Sequence, residues 1–316
     1  MHTQIGTDLN LSASLLKDGK LVAIPTETVY GLAANGFDPE AVATIYEAKG
    51  RPHFDPLILH IGEMSQVKSL STDFPEAAKK LAKAFWPGPL TLILPKSERV
   101  PDIVSAGLQT VGIRMPRHET TLTLLRKLEF PLAAPSANPF GYISPTSAQH
   151  VYDQLDGKIN YILDGGECSV GLESTIVSFA GEHPVILRMG GISVEEIESV
   201  IGKVEVNNKS TSNPSAPGML ISHYAPQTPL LLGDINELIA QLNSRSFGVL
   251  GFKTTYGYSG ETLSEAGDFR EAAQNLFSAL RRLDNQNYDA IIAEELPETG
   301  LGRAINDRLR RAEQKS

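Results

Sequence analysis

Leu21-Val22-Ala23-Ile24-Pro25-Thr26-Glu27-Thr28-Val29-Tyr30-Gly31 begins as a buried strand and runs directly into a polar turn. A short apolar run that ends at Pro reads as a strand. The two hydroxyls and the carboxylate beyond it sit at a strand end, where loops tend to carry binding groups. Asp38-Pro39-Glu40 then starts a helix, with Asp as the cap and Pro in its first position. Val42, Ile45 and Tyr46 form the apolar stripe of that helix, and Gly50 ends it. Its last turn is Lys49-Gly50-Arg51. Cations suit a helix C-terminus through its dipole. Next to a polar strand end, Arg also supplies a fork of donors and Lys a point charge, which together suit phosphate.

Moving outward, residues 57–61, 90–94, 111–114, 132–135, 161–163, 175–179 and 185–187 read as further strands. Helical spacing covers residues 10–19, which end in Gly19, and 74–85. Ser144-Pro145-Thr146 opens a helix over 146–155. Ser193-Val194-Glu195-Glu196 is a capping box for a helix to residue 200. Several strands follow one another without a helix between them, so this is not a simple βαβ repeat. The expected fold is α/β: a twisted mixed sheet with flanking helices over residues 1–206. Residues 207–229 turn rich in Asn, Ser, Thr, Pro and Gly and read as a linker. Beyond it, residues 230–232, 235–242, 248–252, 269–283, 290–293 and 302–311 alternate strand and helix. They predict a small open α/β, Rossmann-like domain over 230–316.

A chain of 316 residues fits about two domains on ordinary domain sizes. The formal net charge of −9 disfavours a general nucleic-acid coat, which needs clustered Lys and Arg. Cys168 is the single cysteine, so neither an intrachain disulfide nor a zinc knuckle can form. No basic-then-apolar leader and no stretch of membrane-helix length is present, and the expected location is cytoplasmic, away from membranes.

A second polar tract, Ala134-Pro135-Ser136-Ala137-Asn138, follows a buried strand. Ser, Asn and Pro are turn formers, but at a strand end they also offer small donors and acceptors. Ser144 extends this rim or caps the next helix. Arg114 lies in an apolar strand and must find an anion or the surface, either a structural carboxylate or that of a substrate. His60 after an apolar run reads as a core histidine. Glu173-Ser174-Thr175 opens a strand. No Gly-x-Ser-x-Gly elbow, Walker A loop, dinucleotide fingerprint or metal-ligand spacing occurs.

Taken in order, Pro25 to Gly31, Lys49-Gly50-Arg51, Pro56-Leu57 with His60-Ile61, and Phe85-Trp86-Pro87-Gly88-Pro89 resemble the YrdC-like L-threonylcarbamoyladenylate synthases. So do Arg114-Met115-Pro116, Pro135-Ser136-Ala137-Asn138, Glu173-Ser174-Thr175 and Leu187-Arg188. His223-Tyr224-Ala225-Pro226 and Gly300-Leu301-Gly302-Arg303-Ala304-Ile305 resemble the family's two-domain long form. The resemblance implies condensation of L-threonine, bicarbonate or CO2, and ATP into L-threonylcarbamoyl-AMP with release of pyrophosphate. A downstream complex would then transfer the group to adenosine 37 of tRNAs that read codons beginning with A.

Carried over by position, Thr28, His60, Arg114, Ala134 and Ser174 would surround L-threonine. Lys49, Arg51, Asp55, Thr110, Ser136, Asn138, Ser144, Arg188 and Tyr224 would surround ATP. Lys49 and Arg51 would offset phosphate charge, with no covalent enzyme nucleophile. Mg2+ would arrive with ATP, since the sequence offers no carboxylate cage of its own, and no organic cofactor is implied. The linker, with Met219, Leu220, Ile221 and Tyr224, is too apolar for a mere spacer and reads as a lid over the cavity. The competing reading is a double-stranded RNA-binding or ribosome-maturation factor of the same fold, with weak RNA binding and a steep salt dependence.

Overall fold

The computed structural model describes residues 2–207, 216, 224–242 and 246–313. Within them the larger sheet comprises β1 (Gln4–Gly6), β2 (Val22–Ile24), β3 (Gly31–Asn35), β4 (Ile58–His60), β5 (Leu90–Pro95) and β6 (Thr110–Arg114). It continues with β7 (Leu132–Ala133), β8 (Tyr161–Leu163), β9 (Thr175–Ser178), β10 (Val185–Arg188) and β11 (Glu205–Val206). Their order across the sheet is β1-β8-β2-β3-β7-β4-β6-β5-β9-β10-β11. Parallel pairs such as β4 with β6 alternate with antiparallel ones such as β5 with β6, so the sheet is mixed.

Alternation along these strands separates two faces. Leu59, Leu92, Ile113, Ala133 and Val177 point to one face, where they join the main core with residues of the helices Pro39–Lys49, Glu76–Phe85, Ala148–Leu155 and Val194–Ile201. On the other face, Ala13, Leu16, Leu124 and Leu125 from the helices Leu9–Lys17 and Glu119–Arg126 cover Val22, Ile24 and Leu132. Farther along that face His60 pairs with Arg114, and Arg114 with Thr91, in adjacent register. Among the described residues, the apolar cluster beside this stretch (Ile58, Ile93, Ile176, Leu187 and Ala216) includes no helix side chain, and the site forms there.

The expected helix over 10–19 is Leu9–Lys17, and its cap is Asp8, which accepts from the N–H groups of Asn10 and Leu11. The helix expected from residue 146 starts at Ala148 with Ser147 as its cap. Ser144 is diverted elsewhere. The helix Pro39–Lys49 has the expected Asp38 cap, Pro39 in its first turn and Gly50 left-handed at φ 61°. The capping box at Ser193 is present.

In the small domain β12 (Leu230–Leu232), β13 (Phe247–Gly251), β14 (Gly260–Thr262) and β15 (Ala290–Ala293) are all parallel, in the order β12-β15-β13-β14. The helices Ile235–Gln241, Phe269–Asp284 and Gly302–Glu313 accompany them. The two domains share a core. Val29, Ile143 and Leu172 of the large domain pack in one cluster with Tyr224, Phe277, Leu280 and Leu309. Most of the linker expectation, including Met219, Leu220, Ile221 and His223, lies outside the described residues. Ala216 is buried among Ile58, Ile93, Ile176 and Leu187 on the site-bearing face. The Ala225 N–H donates to the Gly141 carbonyl at 3.0 Å.

Candidate active site

Strand ends converge on one cavity. Thr26, Thr28 and Val29 come from the turn after β2, and Gly31 from the start of β3. His60 ends β4, Arg114 ends β6, and Ala134, Pro135 and Ser136 follow β7. Glu173 and Ser174 precede β9, Arg188 ends β10, and Arg51 and Tyr224 complete the wall. The cavity volume is about 50 Å³, room for on the order of a few waters.

Each carboxylate around the cavity is held by an arginine. Glu27 Oε2 is 2.8 Å from Arg114 Nη2, with both side chains buried. Asp55 Oδ2 is 2.8 Å from Arg51 Nη2. Arg51 Nη2 also donates to the Pro56 carbonyl at 2.9 Å. Burial raises the Asp55 pKa, against the pull of Arg51. Glu173 Oε2 accepts from Arg308 Nε at 2.9 Å, and its other oxygen accepts from Ser144 Oγ at 2.6 Å. Among the described residues no group of three His, Cys, Asp or Glu is placed to hold a cation.

Ser174 Oγ lies 2.7 Å from Thr91 Oγ1 and accepts from Arg188 Nη2 at 3.0 Å. Arg188 Nε donates to the Ser174 carbonyl at 3.1 Å. This pins the arginine across the start of β9. A Cβ on Gly190 would stand 2.3 Å from the Glu173 carbonyl oxygen, so only glycine lets the two segments approach there. His60 is buried, and burial, with the Arg114 charge second, pushes its pKa down to about 3. It is therefore a neutral imidazole at ordinary pH.

All five residues expected around L-threonine (Thr28, His60, Arg114, Ala134 and Ser174) line the cavity. Of those expected around ATP, Arg51, Ser136, Arg188 and Tyr224 do so. Lys49, Asp55, Thr110, Asn138 and Ser144 do not line it. Lys49 Nζ donates to the carbonyls of Ser136 and Asn138, each at 2.5 Å, and so fastens the turn after β7 from behind. Burial, followed by Arg51, drives its pKa well below lysine's usual value. Asn138 Nδ2 donates to the carbonyls of Pro139 and Tyr142, shaping the next loop. Ser144 acts through Glu173 rather than as a helix cap. Thr110 starts β6, paired with Pro95, at the strand end opposite Arg114.

Sequence reasoning missed Glu27 as the partner of Arg114, and Arg308 altogether. The signal for Glu27 was present in the buried polar turn after β2. Arg308 lies in a charged helix whose pattern alone gives no reason to single it out.

Two family models divide the chain. Residues 14–190 match the Sua5–YciO–YrdC model, described as "Telomere recombination", and residues 192–313 match "Threonylcarbamoyl-AMP synthase, C-terminal domain". The chain is 47% identical to the threonylcarbamoyl-AMP synthase of Pyrococcus abyssi, over 96% of this chain and 93% of that protein. It is also 47% identical to that of Bacillus subtilis, over 95% and 91%. The crystal structure of Pyrococcus abyssi Sua5 complexed with L-threonine superimposes with a TM-score of 0.93 at 44% identity, covering 99% of this chain and 98% of that one.

Proposed function

The chain belongs to the two-domain Sua5 threonylcarbamoyl-AMP synthases, enzymes of the nucleotidyltransferase type, and from that premise we propose that it condenses L-threonine, bicarbonate or CO2, and MgATP into L-threonylcarbamoyl-AMP and pyrophosphate. One observation carries this reading. Arg114, His60, Ser174, Thr28 and Ala134 meet in a single cavity, in a chain that superimposes on a relative crystallised with L-threonine.

In the proposed reaction the threonine amine attacks CO2, giving N-carboxy-threonine and a proton. An oxygen of the new carboxylate attacks the α-phosphorus of ATP, and the bond to the β-phosphate oxygen breaks, releasing pyrophosphate. Arg114 takes the threonine α-carboxylate as a charge-assisted partner. Arg51 and Arg188 face the nucleotide and offset charge as it develops on the leaving phosphates. Mg2+ enters as part of the substrate, since the carboxylates at the wall are already bound to arginines. The catalytic gain comes from holding carboxylate, phosphorus and leaving group in line. The product serves a downstream transfer complex that modifies adenosine 37 of tRNAs reading codons that begin with A, in the cytoplasm.

The test is pyrophosphate release from ATP with threonine and bicarbonate each present or withheld. Release that depends on both is expected. Equal release without threonine would overturn the substrate assignment. Serine, one methyl group smaller, should be a weaker substrate by about 1–3 kcal/mol, the usual worth of such a group in a pocket.

A further inference from the structure

Arg308 belongs to the small domain, on the helix Gly302–Glu313, yet its side chain is wholly buried against the large one. Every arm of its guanidinium is committed. Nε donates to Glu173 Oε2 at 2.9 Å, Nη1 to Asp307 Oδ2 at 2.7 Å and Nη2 to the Met189 carbonyl at 2.9 Å. The guanidinium carbon lies 5.1 Å over the ring of Tyr224, within cation–π range. Two of these partners, Glu173 and Tyr224, line the cavity. Glu173 passes the contact on to Ser144 Oγ at 2.6 Å.

A buried arginine is a poor adhesive, because taking the charge out of water costs about as much as its pairing returns, and well-packed apolar residues hold an interface equally well. What a fully committed guanidinium adds is direction. It fixes a carboxylate, a backbone carbonyl and a ring relative to one another. Tyr224 also takes φ 65°, a left-handed conformation that a bulky side chain adopts only when its surroundings impose it. Its ring stacks on Phe277 at 5.6 Å between centroids.

A second grip lies nearby. Arg281 of the small domain donates to the Ile143 carbonyl and stands 5.2 Å over the ring of Tyr142. Tyr142 Oη donates to Asp284 at 2.5 Å, and Asp284 also accepts from the N–H groups of Gln227 and Thr228. One face of the small domain thus holds both the loop that leads to Ser144 and the segment that follows Tyr224.

We propose that Arg308 is a positioning residue for the nucleotide side of the active site: from the small domain it sets Glu173, and through it Ser144, and seats the ring of Tyr224 over the cavity. The small domain is then a working part of the site. This inference rests on the threonylcarbamoyl-AMP synthase reading for its kinetic arm.

The test compares Arg308→Lys, the double variant Arg308→Met with Glu173→Gln, and Arg310→Ala, whose partners Glu295 and Glu298 lie on the surface. Lysine keeps the charge but cannot reproduce the fork. The double variant removes the Arg308–Glu173 charge pair together, which folded proteins usually tolerate, and Asp307 keeps Arg311 as its partner. The expected result is a KM for ATP raised about tenfold or more in the first two, the worth of about one charge-assisted contact. The Kd for threonine should stay within about twofold, and Arg310→Ala should match the parent.

Amide hydrogen exchange without substrate should quicken at residues 139–144 and 224–228 in the first two variants only. A folded double variant with the parent's KM for ATP overturns the proposal. So does loss of ATP and threonine binding in equal proportion to a fall in melting temperature. If the parent itself releases no pyrophosphate, the functional reading fails. The exchange arm then decides the positioning alone, with quickening confined to those two segments supporting it and unchanged exchange overturning it.

Discussion

Glu27 Oε2 stands 2.8 Å from Arg114 Nη2, in a pair sealed from solvent. The two residues come from the ends of β2 and β6, which have three strands between them in the sheet. Neither charge would tolerate burial alone. The pair is close but poorly aligned, and Arg114 Nε and Glu27 Oε1 make no hydrogen bond among the described residues. A buried donor without a partner in a cavity wall calls for an explanation, and a ligand carboxylate at that position supplies one. Glu27 would then hold the guanidinium in place and moderate its field.

Arg114→Ala should weaken threonine binding about tenfold to hundredfold, the usual worth of a hydrogen bond to a charged group. ATP binding should change far less. The same substitution strands Glu27 and should cost about 3–5 kcal/mol of stability. Pairing Arg114→Met with Glu27→Gln should recover most of that without restoring threonine affinity. Calorimetry with each ligand and a urea titration read both effects. Lost ATP affinity with intact threonine affinity would show that the layout is wrong.

Lys49 was expected at the phosphates, but its ammonium is bound to the Ser136 and Asn138 carbonyls. Lys49→Met should therefore act through the turn after β7. The KM for ATP should rise about tenfold, in line with one lost charge-assisted contact, and amides 136–138 should exchange faster. Arg51→Ala should raise the KM for ATP without loosening that turn. A Lys49→Met enzyme with normal KM, protected amides and a low kcat would instead place the ammonium on the reacting phosphates.

The sheet was legible wherever apolar runs were β-branched or leucine-rich, as at Leu90-Thr91-Leu92-Ile93-Leu94. Gly31-Leu32-Ala33-Ala34-Asn35 was not, because Gly, Ala and Asn have little strand preference of their own and tertiary pairing with β2 and β7 decides them. The helix Glu119–Arg126 was hidden by three threonines, which are weak helix formers. At the site, residues on strand ends could be placed from sequence, since a strand end fixes where a side chain points. Lys49, Asn138 and Ser144 could not. Lys49 and Ser144 find their partners, two backbone carbonyls and a carboxylate, on distant segments that only the assembled fold brings within reach, and Asn138 turns to the carbonyls of its own loop.

His60 gives a pH test. Its folded pKa of about 3 lies below its ordinary 6.5. Between those values the unfolded chain binds a proton that the folded chain refuses, so stability rises with pH across that window. His60 thus imposes no penalty above pH 6.5, and as the pH falls toward 3 it costs up to on the order of 4 kcal/mol. Asp55, whose folded pKa is raised by burial, works in the opposite sense. The difference between His60→Gln and the parent isolates the histidine. Urea midpoints of the variant should fall less steeply between pH 6.5 and 4. Parallel curves would mean that His60 is protonated in the folded state.

Tyr224 can be read as a lid over the site or as mere glue between domains, and its contacts serve both. It lines the cavity, and it stacks on Phe277 of the small domain. Truncation after residue 209 cannot separate the two readings. It would also strip Arg308 from Glu173 and Arg281 from the Ile143 carbonyl, leaving a buried carboxylate unpaired. Point variants do separate them. A carbamoyl-adenylate formed in the cavity survives only while water is kept out. A lid that closes poorly should therefore still allow pyrophosphate release but lose the adenylate to hydrolysis. Tyr224→Ala should raise the ratio of pyrophosphate released to threonylcarbamoyl-AMP recovered, with threonine affinity largely kept. Tyr224→Phe keeps the ring under Arg308 and should stay near the parent. Glue predicts something else: a lower melting temperature, with pyrophosphate and adenylate falling together at a constant ratio. Quantifying both products from one reaction, at a temperature where each variant is folded, distinguishes the two, and a constant ratio in a folded Tyr224→Ala enzyme rules out the lid.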